Sequence, residues 1–332
     1  MATSKDVAKL AGVSHTTVSR AFKPNTSIKS ETYERIMQAA KQLNYTPNVI
    51  ASSLRSQKSQ TIGLVISHPN VKLFMDLTQE LDKELKKHSY RMLISFSEDD
   101  PVKLQKALKA MADARVDSIV YMPAYQEKLG GHTAWMAESK IQFLQIVSNE
   151  HSEFSSFVFE DVAGTLTAMR HLLDYGHRKI LMLGGINRVE GYYAAYKERG
   201  LEPPIPYVSL EDLNEKDCRK RIQELLNIHQ PTAVFSISDQ ISIITYGILN
   251  EMRLRTPEDV SFLMFDDTSW GASLRLSAIG HPVQGMAKAI VRQILDYADS
   301  DIKDQLPSST TFMPFLIQRN SVSRPCEQAL WE

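Results

Sequence analysis

Apolar residues near the start of the chain recur at helical spacing in three short runs. Thr3 and Asp6 have the form of a capping box at the start of the first run, and Gly12 is suited to end it. Ser14 can cap a second helix, and a third is predicted from near Ser30. The buried faces predicted for these helices are Val7, Leu10 and Ala11; Val18, Ala21 and Phe22; and Ile36, Ala39, Ala40 and Leu43.

The first two predicted helices are joined by a tight turn that contains glycine, which is typical of a helix-turn-helix. The exposed side of the second helix carries His15, Thr16, Thr17, Ser19 and Arg20, with no carboxylate among them. Hydrogen-bonding side chains of this kind are what a helix needs against base edges and phosphates. The alternative is an ordinary polar helix face.

A further short amphipathic stretch lies at residues 48–55. Asn48 can cap a helix in which Val49, Ile50, Ala51 and Leu54 form an apolar stripe. At about two turns such a helix does not persist alone in water, so it needs a second copy of itself or DNA as a partner. The alternative is a flexible linker with an incidental leucine.

The rest of the chain alternates apolar runs with amphipathic stretches. This order predicts parallel sheets with helices on both faces, and the length indicates two such units. The predicted strands are 62–66, 92–96, 119–122, 143–147, 157–159, 180–183, 233–237, 262–265 and 312–317. Helical periodicity is clear, for example, at 73–87, 104–114, 166–175, 241–252 and 287–297.

Three carboxylates follow predicted strands directly: Asp161, Asp239 and Asp266. Ligands of doubly wound sheets bind beyond the carboxyl ends of the strands, and carboxylates there suit the hydroxyl groups of a sugar. The alternative is that each aspartate caps the following helix.

Charge is distributed unevenly. Residues 1–60 contain nine Lys and Arg against three Asp and Glu, a net charge of +6, so the remaining 272 residues must carry −7 of the total of −1. A basic head on an acidic body predicts a polyanion as the partner of the head.

Several classes are disfavoured by what the sequence lacks. Cys218 and Cys326 cannot form a disulfide framework or a metal site, and we expect no cofactor. The start lacks the apolar segment of a secretory signal, and no run approaches a membrane span, which predicts a cytoplasmic protein. No G-x-S-x-G, P-loop or H-E-x-x-H motif is found, so an enzyme is not expected. A sugar-processing or sugar-transport protein is the alternative.

The runs KDVAKLAGVSHTTVSRAF and LNYTPNVIASSLRSQKSQTIG resemble the DNA-binding headpiece of the LacI/GalR family of bacterial transcription regulators. The resemblance implies that His15, Thr16 and Arg20 read bases, while Thr17 and Ser19 contact phosphate. It also implies a hinge helix that includes Asn48 and Ala51 and inserts Leu54 into the minor groove. The implied divisions are a helix-turn-helix domain at 1–46, a hinge and linker at 47–58, and an effector-binding and dimerisation domain at 59–332.

Weaker resemblance extends along the body, in EDVAGTLTAMRHLLDYGHRKILMLGG and PTAVFSISDQISIITYGILNEMRLRTPEDVSFLMFDD. It implies a periplasmic-binding-protein-like body of two doubly wound parallel-sheet subdomains that close on an effector. The implied polar effector contacts are Asp161, Arg188, Asp239 and Asp266, with Arg188 matched through the pattern R-x-x-G-Y. Phe74 is either an apolar wall against a sugar or a core residue.

Two departures from the family pattern are visible. Only two residues separate Gly185 from Arg188, where the family has a longer loop. The run LRLSAIGHPVQGMAK places His281 where the family has an amide. Either His281 affects the link between the cleft and the dimer or it is a tolerated surface residue, and we expect the second. The resemblance implies an allosteric homodimeric repressor of carbohydrate-utilisation genes that binds palindromic operator DNA and a sugar, uronate or sugar phosphate. The tail has no heptad pattern, so a tetramer is not expected.

Overall fold

The structure is a computed structural model that describes residues 2–22, 28–46, 59–123, 134–185, 188–210, 213–299 and 306–326. The chain forms two compact units, Met1–Gln60 and Thr61–Glu332. They are described in turn.

The first unit contains the three helices that the apolar spacing predicts. They are α1 (Ser4–Ala11), α2 (His15–Ala21) and α3 (Ser30–Gln42). The capping box is present at the start of α1, and Gly12 ends that helix with a φ of +65°. Val7, Val18 and Ile36 are fully buried where the three helices meet.

One residue of the predicted core lies on the surface. Leu10 was expected to share the buried face of α1, but it is 51% exposed. Ala8 is buried in its place, beside Val7 and Ala11, because α1 packs on both α2 and α3. The contact face of α1 is therefore rotated from the i, i+3, i+4 stripe, and Leu10 falls at its edge.

The second unit contains two six-stranded sheets. The order of the first sheet is β11-β5-β4-β3-β1-β2, and that of the second is β12-β10-β9-β8-β6-β7. The strands of the first sheet are β1 (Thr61–Ile66), β2 (Arg91–Phe96), β3 (Ser118–Tyr121), β4 (Gln142–Ile146), β5 (Ser155–Phe159) and β11 (Ser309–Phe312). Those of the second are β6 (Ile180–Gly184), β7 (Val208–Ser209), β8 (Ala233–Ser236), β9 (Ser261–Phe265), β10 (Ser277–Gly280) and β12 (Phe315–Ile317).

Helices cover both faces of each sheet, as expected for strands that are apolar along their whole length. The helices are α4 (Lys72–Lys87), α5 (Pro101–Asp113), α6 (Ala134–Glu138), α7 (Asp161–Asp174), α8 (Val189–Lys197), α9 (Glu215–His229), α10 (Asp239–Glu251), α11 (Ser269–Ser273) and α12 (Val283–Asp299). Leu64 and Val65 are both almost fully buried although they point to opposite faces of β1. The predicted fold of two doubly wound sheets is confirmed.

The last predicted strand, 312–317, is wrong as a single strand. The chain leaves β11 in the first sheet, passes Met313 and Pro314, and enters β12 in the second sheet. Proline has no amide N–H for a sheet ladder, which is consistent with a break at this point. β12 pairs antiparallel with β10, whereas the other strand pairs are parallel.

Three connections join the two sheets. The first runs from β5 through Glu160 into α7, which packs on the second sheet. The second runs from β10 through His281 into α12, which packs on α4 and on β4 of the first sheet. The third is the passage from β11 to β12. The Glu160 amide donates to the carbonyl of Phe312 at 3.0 Å, so the first and third connections lie side by side.

Candidate functional site

The predicted reading face of α2 is available at the surface. Thr16, Ser19 and Arg20 are exposed, while His15 and Thr17 are half-buried. His15 Nε2 lies 2.8 Å from the Ser4 hydroxyl, which links the start of α2 to α1. These side chains present donors and acceptors on one helix face and can bind a polar surface such as a DNA groove.

The start of α2 is fixed by its cap. Ser14 Oγ accepts the Thr17 amide at 3.1 Å and lies 2.7 Å from the hydroxyl oxygens of both Thr16 and Thr17. Asn48, Ala51 and Leu54 lie outside the described residues, so the hinge helix stays a prediction.

An open cavity of about 200 Å³ lies beyond the carboxyl ends of β9 and β10, where the start of α4 faces them. We call it the cleft. Its walls are Lys72, Leu73 and Asp76 of α4, Asp266 and Asp267 after β9, Gly280 and His281 at the end of β10, Val283 of α12, and Phe315 and Ile317 of β12. A cavity at the carboxyl ends of parallel strands is the usual ligand position in this architecture.

Asp161 and Arg188 form a pair beside the cleft. Arg188 donates to Asp161 Oδ2 from Nε at 2.9 Å and from Nη2 at 2.7 Å. It also donates from Nη1 to the Ile237 carbonyl, and its guanidinium lies 3.8 Å from the centre of the Phe265 ring. The Arg188 side chain is therefore held by Asp161, by the Ile237 carbonyl and by the face of the Phe265 ring.

His281 lies between the Asp161–Arg188 pair and Asp266 of the cleft wall. Its Nε2 lies 3.3 Å from Asp161 Oδ1, and its Nδ1 lies 3.0 Å from Asp266 Oδ1. The side chain is 2% exposed, so the expectation of a surface residue was wrong. The physical reason is that β10, a short strand that the sequence pattern missed, carries His281 into the space between the sheets.

Two pKa shifts follow from this arrangement. Burial disfavours the charged form of His281, but hydrogen bonding to Asp161 and Asp266 outweighs it and raises the pKa of the imidazole. Burial would raise the pKa of Asp161, but the hydrogen bond from His281 and the charge of Arg188 outweigh it and lower that pKa. The group is thus arranged for an ionised carboxylate beside a protonated histidine.

The other predicted effector residues are placed differently. Asp239 accepts from the Trp270 indole at 2.7 Å, so its position is fixed by α11. Phe74 packs against the core of the first sheet, and its neighbour Leu73 lines the cleft. As effector contacts, Asp239 and Phe74 stay predictions.

The three aspartates at strand ends are not helix caps. Ser238 caps α10 and Thr268 caps α11, while Glu160 precedes α7 without a side-chain cap. The carboxylates are therefore left for other partners, which favours the binding interpretation over the capping one.

Residues missed at the sequence level also shape the cleft. Lys72 pairs with Asp76 within one turn of α4, and Arg319 lies 2.8 Å from Asp267. A signal for His281 was present, since it departs from the family pattern, but the sequence did not show that its side chain is buried. Within the described ranges, no group of three or more His, Cys, Asp or Glu could hold a metal ion, and no helix is long and apolar enough to cross a membrane.

Residues 3–48 match the family model described as "Bacterial regulatory proteins, lacI family". Residues 59–270 match the model described as "Periplasmic binding proteins and sugar binding domain of LacI family". The chain belongs to the LacI family. The resemblance noted in the sequence is thereby confirmed.

Relatives of this LacI-family chain cover nearly its full length. It is similar to the HTH-type transcriptional repressor PurR of Klebsiella pneumoniae (strain 342), at 28% identity over 97% of each chain. The PurR repressor of Haemophilus influenzae (strain PittEE) is 30% identical over 80% of this chain and 82% of its own. The ribose operon repressor of Haemophilus influenzae is 29% identical over 89% of this chain and 91% of its own. The LacI-family chain is a regulatory protein and not an enzyme.

Solved structures share the fold. A lac repressor dimer bound to operator and the anti-inducer ONPF superposes with a TM-score of 0.80 at 21% identity, covering 97% of this chain and 99% of that one. The transcriptional regulator CelR in complex with cellobiose gives a TM-score of 0.67 at 20% identity, covering 97% and 100%.

Proposed function

We propose that this LacI-family protein is a transcription repressor that binds palindromic operator DNA and is controlled by a small effector bound in the cleft. The observation that carries the DNA half is the exposed polar face of α2 on a unit with a net charge of +6. The names of the relatives support repression. The proposed domains are 1–46 for the helix-turn-helix, 47–58 for the hinge and linker, and 59–332 for effector binding and dimerisation.

Within the DNA-binding part, we assign base reading to His15, Thr16 and Arg20, and phosphate contacts to Thr17 and Ser19. The hinge residues proposed to enter the minor groove are Asn48, Ala51 and Leu54. An apolar side chain wedged between base pairs unstacks a step and bends the duplex.

Replacement of Arg20 should separate sequence reading from general attraction to DNA. Arg20→Ala is expected to lower affinity for the operator about 5- to 150-fold, since one bidentate contact to guanine is worth roughly 1–3 kcal/mol. The measurement is fluorescence anisotropy with the palindromic site that the protein selects from a randomised DNA pool, beside an unrelated duplex.

Arg35→Ala is the matched control, because it removes the same charge from an exposed position on α3. It should lower affinity for both duplexes slightly and equally. Equal losses for the two variants on the selected site would contradict a reading role for Arg20, and failure to select any site would contradict the proposed function.

The effector half is supported by the charges around the cleft. The cations Lys72, Arg188 and Arg319 are each already paired with a carboxylate. Carboxylates accept hydrogen bonds from hydroxyl groups, whereas a phosphate or a uronate would require a free cation. Within the expected class of sugar, uronate or sugar phosphate, this balance favours an uncharged sugar.

A panel of ligands can test the effector class through operator binding. We expect an uncharged sugar among ribose, xylulose and cellobiose, or a close analogue, to change operator affinity about 5- to 150-fold, the usual range of allosteric coupling. The panel includes the matching phosphates and uronates and a purine base. A response confined to an anion or to the purine would contradict the proposed class, and no response would contradict control by these ligands.

We propose that the protein acts as a homodimer, because a palindromic operator mirrors two-fold symmetry. Exposed apolar side chains on the edge strand β2 support this: Leu93, Ile94 and Phe96 are each 40% to 44% exposed, and Val102 at the start of α5 is 61% exposed. Such an edge is usually covered by a partner. Sedimentation should show a particle of twice the 37.5 kDa chain mass, and a monomer at operator-binding concentrations would contradict the dimer.

The proposed mechanism has two states. Effector binding changes the arrangement of the two sheets and so the spacing of the paired hinge helices. By thermodynamic linkage, an effector that weakens operator binding must itself bind less tightly to the DNA-bound form.

A further inference from the structure

His281 occupies one of the three connections between the sheets and contacts residues from two other segments. Asp161 stands at the start of α7, directly after the first connection, and Asp266 is the first residue after β9. His281 itself follows β10 on the second connection. One imidazole therefore links the two connections and the adjacent strand end.

The surroundings of the imidazole are apolar on its faces and charged at its edges. The rings of Phe159 and Phe265 lie 4.4 Å and 5.4 Å from it, centre to centre. The charged groups that face it are Asp161 at Nε2 and Asp266 at Nδ1. Beyond them, Arg188 is paired with Asp161, while Lys72, Asp76 and Asp267 line the same cleft as His281.

Both nitrogens of His281 therefore face carboxylate oxygens. An ionised carboxylate only accepts hydrogen bonds, and a neutral imidazole has one N–H to donate. Nε2 hydrogen-bonds to Asp161 and Nδ1 lies at ion-pair distance from Asp266, so only the imidazolium places an N–H, and no lone pair, against both carboxylates. With His281 charged, the group of His281, Arg188, Asp161 and Asp266 is neutral, whereas a neutral His281 leaves one negative charge in a mostly buried place.

We propose that His281, as an imidazolium, is a positioning residue of the effector cleft that fixes the carboxylates of Asp161 and Asp266 across the connection between the sheets. An uncharged amide at this position could not neutralise either carboxylate. That these carboxylates bind an effector rests on the proposed function. The protonation state of His281 can be measured without any effector or DNA.

One consequence concerns the ligand. Asp266 belongs to a wall of the cleft, where its carboxylate can accept hydrogen bonds from a ligand. A ligand with hydroxyl or ammonium donors uses the same carboxylates as His281, so its binding is coupled to the proton on this residue. The affinity of such a ligand therefore depends on pH over the range in which His281 titrates.

The direct test is a titration of the full-length protein labelled with ¹³C at the histidine ε1 carbon, followed by NMR. The resonance of His281 is identified by its loss in His281→Gln and by its shift in Asp161→Asn and Asp266→Asn. We expect it to titrate with a midpoint above the ordinary value of about 6.5, and each aspartate variant should lower that midpoint. A midpoint at or below 6.5 in the wild-type protein would overturn the proposal.

A second measurement distinguishes the charge of His281 from its packing. A raised pKa in the folded state gives stability that is present below pH 6.5 and is lost as the pH rises through the folded pKa. The Tm of wild type should therefore exceed that of His281→Gln by a larger margin at pH 6 than at pH 9. His68→Gln is the matched control, since His68 also faces a carboxylate, Asp99, at 3.1 Å but is 39% exposed. The difference in Tm between wild type and His68→Gln should be the same at pH 6 and pH 9.

An equal margin at both pH values would overturn the charged role, because a loss of packing alone does not vary with pH. If His281→Gln does not fold, the wild-type titration and the two aspartate variants still decide the question. Operator binding by wild type tests the proposed function separately, so failure of one proposal leaves the other measurable.

Discussion

Gly191→Ala is expected to destabilise the second unit by about 2–3 kcal/mol, the cost of overpacking a well-packed site. A Cβ at this position in α8 would lie 2.4 Å from the carbonyl oxygen of Val162 and 2.9 Å from the amide nitrogen of Leu166 in α7. These neighbours are backbone atoms, so α7 and α8 would have to separate. Thermal unfolding should show a fall of roughly 5–10 °C in Tm for a unit of this size.

Gly247→Ala is the matched control, because Gly247 lies within α10 and has no atom within 4 Å of the position of a Cβ. It should be neutral or stabilise the protein by up to about 1 kcal/mol, since alanine favours a helix more than glycine does. Similar Tm values for Gly191→Ala and Gly247→Ala would show that α7 and α8 are not held at this distance.

The same close approach explains the pattern R-x-x-G-Y. Arg188 stands at the start of α8 and Asp161 at the start of α7, and the two helices meet through Gly191. The glycine therefore permits the ion pair beside the cleft. We expect the Gly191 variant to perturb the Asp161–Arg188 pair even under conditions where it remains folded.

Asp161→Asn is expected to cost about 3 kcal/mol of stability at neutral pH. The variant keeps the size of the side chain but removes the charge that Arg188 and His281 share. Arg188 is 18% exposed and the His281 side chain 2%, so water can do little to replace the carboxylate. Removing one member of a buried ion pair typically costs about 3–5 kcal/mol, and the 29% exposure of Asp161 places this case at the low end.

Asp174→Asn provides the control in the same helix. Asp174 is 67% exposed and pairs with Arg199 on the surface, so its loss should cost at most about 1 kcal/mol. Chemical unfolding of both variants and of wild type gives the comparison, and equal losses would contradict the special position of Asp161.

The stability lost in Asp161→Asn should also vary with pH. The pKa of Asp161 is lowered in the folded state, so its contribution is present above the unfolded value of about 3.9 and is lost as the pH falls through the folded pKa. His281 contributes below about 6.5 and loses its effect as the pH rises. Asp161→Asn should therefore differ from wild type most between about pH 4 and 6.5, where both contributions are present.

Local spacing was sufficient to place α1, α2 and α3 and most strands. The capping box, the glycine at the end of α1 and the apolar positions of α2 and α3 are properties of adjacent residues, so the sequence shows them directly. The strands of both sheets are apolar along their length because they are covered on both faces, and they were recognisable for that reason. Leu10 was misplaced because its exposure depends on how α1 packs against two other helices.

The sequence was less informative about the cleft. It indicated that Asp161, Asp239 and Asp266 follow strands, and the resemblance added Arg188. It did not show that Asp161 and Arg188 pair or that Asp239 is held by Trp270. Such contacts join residues that are tens of positions apart, and the hydrophobic periodicity of a sequence does not predict them.

What the sequence by itself determined is the family, the three helices α1, α2 and α3 and the two-sheet architecture, because these depend on motifs and on hydrophobic period. Tertiary structure decided the position of His281. The strand before it, SAIG, is short and lacks the β-branched run that marks a strand, so nothing in the local pattern predicted burial of the next residue. Only the pairing of β10 between β9 and β12 carries that histidine between Asp161 and Asp266, where its charge can be matched on both sides.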